Sequence, residues 1–367
     1  MAYSISAAVL HELSAPFRLE TLALEEPADD EILVRIVCAG ICHTDIKVSK
    51  GYASVPLPVV LGHEGAGVVE QTGKSVTIVA PGDHVLLTFD SCGDCLQCNA
   101  RHPAYCDNGQ TLSFSCLGRH SSSPLTLNGE RVYGSFFGQS SFASHVISNE
   151  RNTVKVDKDL PLKKLGPLGC GFQTGAGAIL NVLQPATGQS LAIFGGGNVG
   201  LSGVMAAVIS KLDPIIVVDN NTDRLAMALK LGASHVIDAG KEAEIVAQIN
   251  RITGNRGVNY SVDTTNIPAL VRQAFESLAN RGSCIHSGGG GKDLTFPGSH
   301  LLHGRSVQGV IQGDSDPQVF IPQLLDYYRK GLFPFDKLLS FYPLAEINRA
   351  VADMTAGQVI KPVLQMP

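Results

Sequence analysis

The run C-G-D-C-L-Q-C-N-A-R-H-P-A-Y-C brings Cys92, Cys95, Cys98 and Cys106 close together along the chain. Thiolates at this spacing can surround one tetrahedral Zn²⁺, and four of them leave no position open for a substrate. The chemistry to expect is structural, an ion that ties a lobe together. An iron–sulfur cluster takes the same ligand type, but no redox relay accompanies the run.

A second set of reactive residues is scattered. The octet C-A-G-I-C-H-T-D at 38–45 crowds a thiol, an imidazole, a hydroxyl and a carboxylate into Cys42, His43, Thr44 and Asp45. His63 and Glu64 adjoin in L-G-H-E-G-A-G, and Cys170 lies in P-L-G-C-G. None has zinc-finger spacing. Taken singly they read as core thiols, a helix cap, a first-turn acid and satisfied imidazoles.

The third set is glycine-rich. G-G-G-N-V-G at 195–200 fits G-x-G-x-x-G through Gly195, Gly197 and Gly200, with Asn198 and Val199 between. It follows the apolar strand L-A-I-F and opens a helix, the context a dinucleotide fingerprint requires. Gly195 permits a tight turn, Gly197 lets pyrophosphate approach the backbone, and Gly200 allows close helix–sheet packing. Helix amides then face the anion. Asp219 ends the next strand, where a carboxylate bonds the ribose hydroxyls and repels a 2′-phosphate, favouring NAD over NADP. Arg224 keeps NADP in view.

Elements of two kinds must position these groups. Up to about residue 150 the chain reads as short β runs broken by Gly and Pro, among them I-L-V-R-I-V at 32–37, G-A-G-V-V-E-Q at 65–71 and H-V-L-L-T-F at 84–89. From about 170 apolar strands alternate with helix-length segments. Strands are expected at 191–194, 214–219, 235–238, 258–263, 283–287 and 306–311. Helices are expected near 199–210, 222–231, 241–253 and 267–279. Such alternation implies a doubly wound parallel sheet covered on both faces. G-G-G-G at 288–291 reads as a loop after a strand. Helices at 317–330 and 344–355 and a strand K-P-V-L-Q form a tail too small for its own core, so it should rejoin the first domain.

Composition narrows the class. A chain of 367 residues suits two domains. With 44% hydrophobic and 17% charged residues it is ordinary for a globular protein. A net charge of -5 argues against nucleic-acid partners. No apolar stretch reaches the roughly 18 residues needed to span a bilayer. The N-terminus lacks a basic start and its apolar run is broken by Glu12, so it does not read as a secretory signal. The nine cysteines are then expected to be reduced, in the cytoplasm, and available for metal.

Taken together, the chain resembles the zinc-dependent medium-chain alcohol dehydrogenases. G-H-E-G-A-G-V-V-E-Q-T-G-K-S-V, Gly62–Val76, fits that family's signature G-H-E-x2-G-x5-[GA]-x2-V at every fixed position. The four-cysteine lobe, Cys170 and the glycine fingerprint follow in the family's order, over essentially the whole chain. The resemblance implies a GroES-like irregular β catalytic domain, 1–171 with 315–367, and a Rossmann domain, 172–314. It implies two zinc ions per subunit and NAD. Cys42, His63 and Cys170 become the catalytic zinc ligands, leaving a fourth position for water or substrate oxygen. Glu64 lies beside the metal and Asp45 orients His63. Thr44 accepts the alcohol proton, while His43 and Thr174 contact the cofactor.

The resemblance also implies the reaction: zinc polarises an alcohol oxygen and nicotinamide accepts hydride, giving an aldehyde or ketone. Q-T-G-A-G-A after Cys170, F-F-G-Q-S-S-F-A at 136–143 and K-G-L-F-P-F-D-K-L at 330–338 resemble aryl (benzyl) alcohol dehydrogenases. A primary aromatic or allylic alcohol is the expected substrate. A polyol or short aliphatic alcohol, or a silent zinc- and NAD-binding sensor, are the alternatives. Phe89, Phe114, Phe136 and Phe137 are candidate pocket walls, and 112–125 a loop that could cover them. A homodimer or homotetramer through the S-V-Q-G-V-I edge is implied too. One position departs from the pattern. Many relatives carry a histidine three residues after Thr44, where this chain has Lys47, a residue type that shuttles protons poorly at neutral pH.

Overall fold

An antiparallel sheet, a mixed sheet and a parallel sheet organise the computed structural model, which describes residues 2–289 and 293–367. By its internal contacts the chain divides into two units. The first comprises Met1–Cys170, Asp316–Gln323 and Asp336–Pro367; the second comprises Gly171–Ser315 and Leu324–Phe335.

In the first unit the hub is the strand Glu31–Gly40, buried along most of its length. It pairs antiparallel with Gly65–Thr72, His145–Asn149 and the C-terminal Lys361–Gln365. Apolar residues such as Ile32, Val34 and Ile36 hold it in the core, where each fully buried aliphatic side chain contributes about 1.5–3 kcal/mol. Its end leads into Cys42, and its neighbour Gly65–Thr72 begins one residue after His63-Glu64. Pairing with Lys361–Gln365 aligns Val363 with Gly40, which carries Lys361 to the same corner. A five-stranded sheet packs in the same core, in the order Val59–Val60, Tyr3–Leu10, Arg18–Leu24, Leu125–Leu127, Glu130–Val132.

Among the described residues the second unit holds six parallel strands. Their order is His235–Asp238, Ile215–Asp219, Leu191–Phe194, Val258–Asp263, Leu278–His286 and Ser306–Gly309. The order reverses beside Leu191–Phe194, the switch point where open α/β sheets bind ligands. All four residues of that strand are buried, as helices on both faces require.

Several boundaries differ from the sequence reading. The helix expected over 267–279 stops at Glu276, because Leu278 already pairs with Val258 and starts a longer strand. The segment 112–125 is not all loop, since the Gly109–Phe114 helix runs into it. The tail 315–367 is shared: Leu324–Phe335 groups with the second unit, where the buried Phe333 and Phe335 rings lie 6.5 and 5.3 Å from Phe172. Of the expected loop at 288–291, positions 290 and 291 lie outside the described residues. Among the described residues no helix is long and apolar enough to cross a membrane.

Candidate metal centres and dinucleotide site

The four lobe sulfurs converge. Cys92, Cys95, Cys98 and Cys106 offer Sγ atoms all within 4.8 Å of one another, and none is in a disulfide. Sγ–Sγ separations of 3.4 Å (Cys106–Cys92), 3.9 Å (Cys92–Cys98) and 4.0 Å (Cys95–Cys106) bracket the ~3.8 Å edge of a tetrahedron with ~2.3 Å Zn–S bonds. Backbone N–H groups of Cys98 and Asp107 donate to Cys95 Sγ at 3.5 and 3.4 Å. These amides pull the Cys95 thiol down to about 7, towards the thiolate a metal needs. Burial, helped by the neighbouring Cys92 and Cys98 thiols, pushes Cys106 up to about 12. Metal would reverse that.

The scattered set also converges, entirely within the first unit. Ligand atoms of Cys42, His63, Glu64 and Cys170 lie within 4.8 Å of one another. Cys42 precedes the short helix His43–Ser49, whose Asp45 is 1% exposed. One Asp45 carboxylate organises the corner. Its Oδ2 accepts the Cys42 N–H at 2.9 Å, while its Oδ1 accepts the Gly62 N–H at 3.2 Å and faces His63 Nδ1 at 2.8 Å. Burial pulls the imidazole pKa down, but the charge of Asp45 and its hydrogen bond outweigh that and hold it well above the ordinary value. Facing the Asp45 carboxylate, Nδ1 holds the proton of the neutral ring, which leaves Nε2 on the side of the sulfurs. That Nε2 is buried without a hydrogen-bond partner, as a metal ligand awaiting an ion would be.

The two thiols behave as a pair. Cys42 is held well below the usual thiol range by its hydrogen bond with Cys170, then against burial by His63 and Lys361. Cys170 is driven up by the same bond and by burial. One proton serves two sulfurs. Cys170 follows the turn Gly166–Gly169, where the Thr88 hydroxyl donates to the Gly169 carbonyl at 2.7 Å. A Cβ on Gly169 would fall 2.1 Å from the Leu87 carbonyl, so this approach requires glycine.

Sequence reasoning missed Lys361. Its Nζ is 2.5 Å from Glu64 Oε2 and donates to the Ile41 carbonyl at 2.9 Å, and both side chains are fully buried. Burial raises Glu64 to about 7, although Lys361 works against that rise. A Cβ on Gly40 would meet Glu64 Oε2 at 2.0 Å. The only sequence signal was a lysine inside an apolar terminal strand.

The dinucleotide fingerprint holds together in the second unit. Gly195 has φ +103, and a Cβ on Gly200 would lie 1.8 Å from the Gly195 carbonyl. At Gly197 a Cβ would meet nothing within 4 Å, leaving space at the N-terminus of the helix Asn198–Ile209. That fits an anion approaching the backbone. Asn198 is turned elsewhere, since a Cβ on Gly171 would sit 1.9 Å from its Nδ2. Only its backbone, with that of Val199, is at the helix start. Asp219 is no solvated acid. It accepts the Gly196 N–H at 2.6 Å and the Asn221 N–H at 2.8 Å, with Arg224 4.0 Å away. Thr174, on the helix Gly171–Gly177, bonds Gln312 at 3.4 Å. In the first unit His43 is exposed, and Thr44 Oγ1 lies 3.7 Å from Cys42 Sγ.

Comparison with known proteins agrees with this architecture. Residues 28–158 match the alcohol dehydrogenase GroES-like domain, and residues 198–327 the zinc-binding dehydrogenase domain. The chain is 44% identical over 365 residues to a geraniol dehydrogenase of Castellaniella defragrans, covering 98% of this chain and 97% of that one. Among solved structures it is similar to an alcohol dehydrogenase zinc-binding domain protein from Burkholderia ambifaria (TM-score 0.97, 46% identity) and to benzyl alcohol dehydrogenase from Acinetobacter calcoaceticus (TM-score 0.96, 41% identity), each covered completely in both chains. The chain belongs to the zinc-dependent medium-chain alcohol dehydrogenase family. It is an alcohol dehydrogenase with a GroES-like and a Rossmann domain, whose cofactors are zinc and a nicotinamide dinucleotide.

Proposed function

We propose that this enzyme interconverts a primary aromatic or allylic alcohol and its aldehyde, using NAD. The observation that carries the reading is the ring cluster at His63. Phe137 stacks on the imidazole at 4.6 Å, Phe136 meets it edge-on at 5.7 Å, and Phe114 touches both phenylalanines. Flat unsaturated substrates suit such a wall, because aromatic faces and edges attract one another beyond simple area burial. Phe89 is buried in the same core. The names of two relatives, a geraniol and a benzyl alcohol dehydrogenase, point the same way.

In this reading Cys42, His63 and Cys170 hold the reactive zinc, and Cys92, Cys95, Cys98 and Cys106 hold the structural one. Bound there, zinc would supply Lewis acidity to a substrate oxygen and nicotinamide would supply the hydride acceptor. The chain's own residues do the rest. Asp45 keeps the His63 proton on Nδ1, so Nε2 stays a donor to metal. Thr44 accepts the alcohol proton at Oγ1 as its own hydroxyl proton passes on towards the nicotinamide ribose. Glu64, paired with Lys361, holds a carboxylate beside the three ligands. Gly195, Gly197 and Gly200 shape the pyrophosphate seat, with the Asn198 and Val199 amides at its helix start. Asp219 selects the 2′-hydroxyl, with Arg224 beside it, and His43 and Thr174 contact the cofactor on the strength of the family resemblance. The domains divide near residues 171 and 315. Ser306–Gly309, exposed throughout at the sheet edge, offers a pairing surface for a homodimer or homotetramer.

A substrate panel tests this: benzyl alcohol, cinnamyl alcohol, geraniol, ethanol and sorbitol, each with NAD and NADP, with metal content measured. Preference in kcat/KM for the unsaturated alcohols with NAD is expected. Preference for sorbitol or ethanol would remove the aryl and allylic reading.

A further inference from the structure

The segment 135–142 is bound on both sides to the stretch between two strands that carries His63. Ser140 Oγ donates to the Val60 carbonyl at 2.6 Å, Phe142 N–H to Leu61 at 3.0 Å and Ser141 N–H to Gly62 at 2.9 Å. From the other side, Gly65 N–H donates to Gln139 Oε1 at 3.0 Å. Contacts therefore flank His63 before and after. Inside this segment Phe137 adopts φ 52, ψ 32, a left-handed conformation that bulky L residues rarely take. The conformation is maintained by those bonds, and its result is the parallel stack on His63, with planes inclined by 26°.

Phe137 is in turn backed from the four-cysteine lobe. The helix Gly109–Phe114 starts on the lobe itself, since Gly109 N–H donates to the Cys106 carbonyl at 2.8 Å. Its last residue, Phe114, meets Phe137 edge-on at 5.4 Å and Phe136 at 5.9 Å. A sulfur ligand, a helix, two phenyl rings and an imidazole form an unbroken series.

We propose that Phe137, braced by Phe114, is the positioning element that fixes the ring plane of His63, so that the four-cysteine lobe holds the imidazole of the reactive centre in place. Asp45 fixes the tautomer; the phenyl rings fix the tilt. This rests on the reading that Cys42, His63 and Cys170 share a metal ion.

The test follows metal loss from the zinc-loaded enzyme to a chromophoric chelator, with His63→Ala identifying the kinetic phase that belongs to the His63 centre. In Phe137→Gly, where glycine accepts the left-handed backbone but removes the ring, that phase should accelerate about 10-fold or more, the scale on which ligand-orienting partners act. Phe114→Ala should do the same while the lobe phase stays at its wild-type rate. Should Phe114→Ala prove unfolded by circular dichroism, Phe114→Met keeps the volume and loses only the ring contact, with acceleration again expected. Wild-type release rates in the folded variants overturn the proposal alone. If His63→Ala abolishes no phase, the metal reading itself falls, whatever the phenylalanines do.

Discussion

Lys361 Nζ and Glu64 Oε2 stand 2.5 Å apart with neither side chain exposed to solvent. A buried pair of this kind is costly to break, because the survivor is left as an uncompensated charge. Lys361→Ala should therefore destabilise the protein by about 3–5 kcal/mol. The double change Lys361→Met/Glu64→Gln, which removes both charges at similar volume, should recover most of that loss. Urea unfolding at fixed metal loading measures both. Equal loss in the single and double variants would show that the pair matters for packing only.

Cofactor choice is expected to depend on Asp219. Its carboxylate already bonds the Gly196 and Asn221 amides, so it presents a fixed negative charge at the strand end. Asp219→Ser should lower kcat/KM with NAD by about 10-fold or more, the worth of a charge-assisted hydrogen bond. The penalty with NADP should be smaller, because repulsion of the 2′-phosphate is relieved. Steady-state kinetics with both cofactors decide it.

Proton transfer is expected to run through Thr44. Thr44→Ala should reduce kcat by about 10²–10⁴, while Thr44→Ser keeps most of the activity. Beyond it Lys47, whose ammonium lies 5.7 Å from the Tyr52 ring, stands where a shuttle could be. Lys47→His should broaden the pH–rate profile near neutrality. Superimposable profiles would dismiss any role for that position.

Acid sensitivity has a source far from the metals. A hydrogen bond from Lys155, 2.6 Å away, and then the Ala80 amide hold the Asp83 carboxyl below its ordinary 3.8. The charged form thus favours the fold. That contribution is present above the unfolded pKa and is lost as pH falls through the lowered folded value. Asp83→Asn should lower the urea midpoint at pH 7, and the gap to wild type should narrow below pH ~4. A gap that is constant with pH would count against it.

Much of the second unit was legible because its signals are local: an apolar strand, three glycines at fixed spacing and an acid at the next strand end. The four-cysteine lobe was legible for the same reason. The reactive centre was not, since Cys42, His63 and Cys170 have no mutual spacing and only the G-H-E signature joined them. Lys361 escaped notice because its partner lies in another strand near the front of the chain. Phe137 was a candidate wall residue, but its stack on His63 escaped because nothing in F-F-G-Q-S-S announces a left-handed backbone. The shared tail escaped too, as Phe333 and Phe335 choose Phe172 by shape rather than by any motif.

Small zinc modules wait for their ion before they fold. Here a single acceptor, Asp45, gathers the Cys42 amide, the Gly62 amide and the His63 ring, so two arms of the cradle are also tied by the chain's own hydrogen bonds. Removing the Asp45 carboxylate would therefore loosen the Cys42 turn and the His63 ring together, although the two lie in separate segments of the chain.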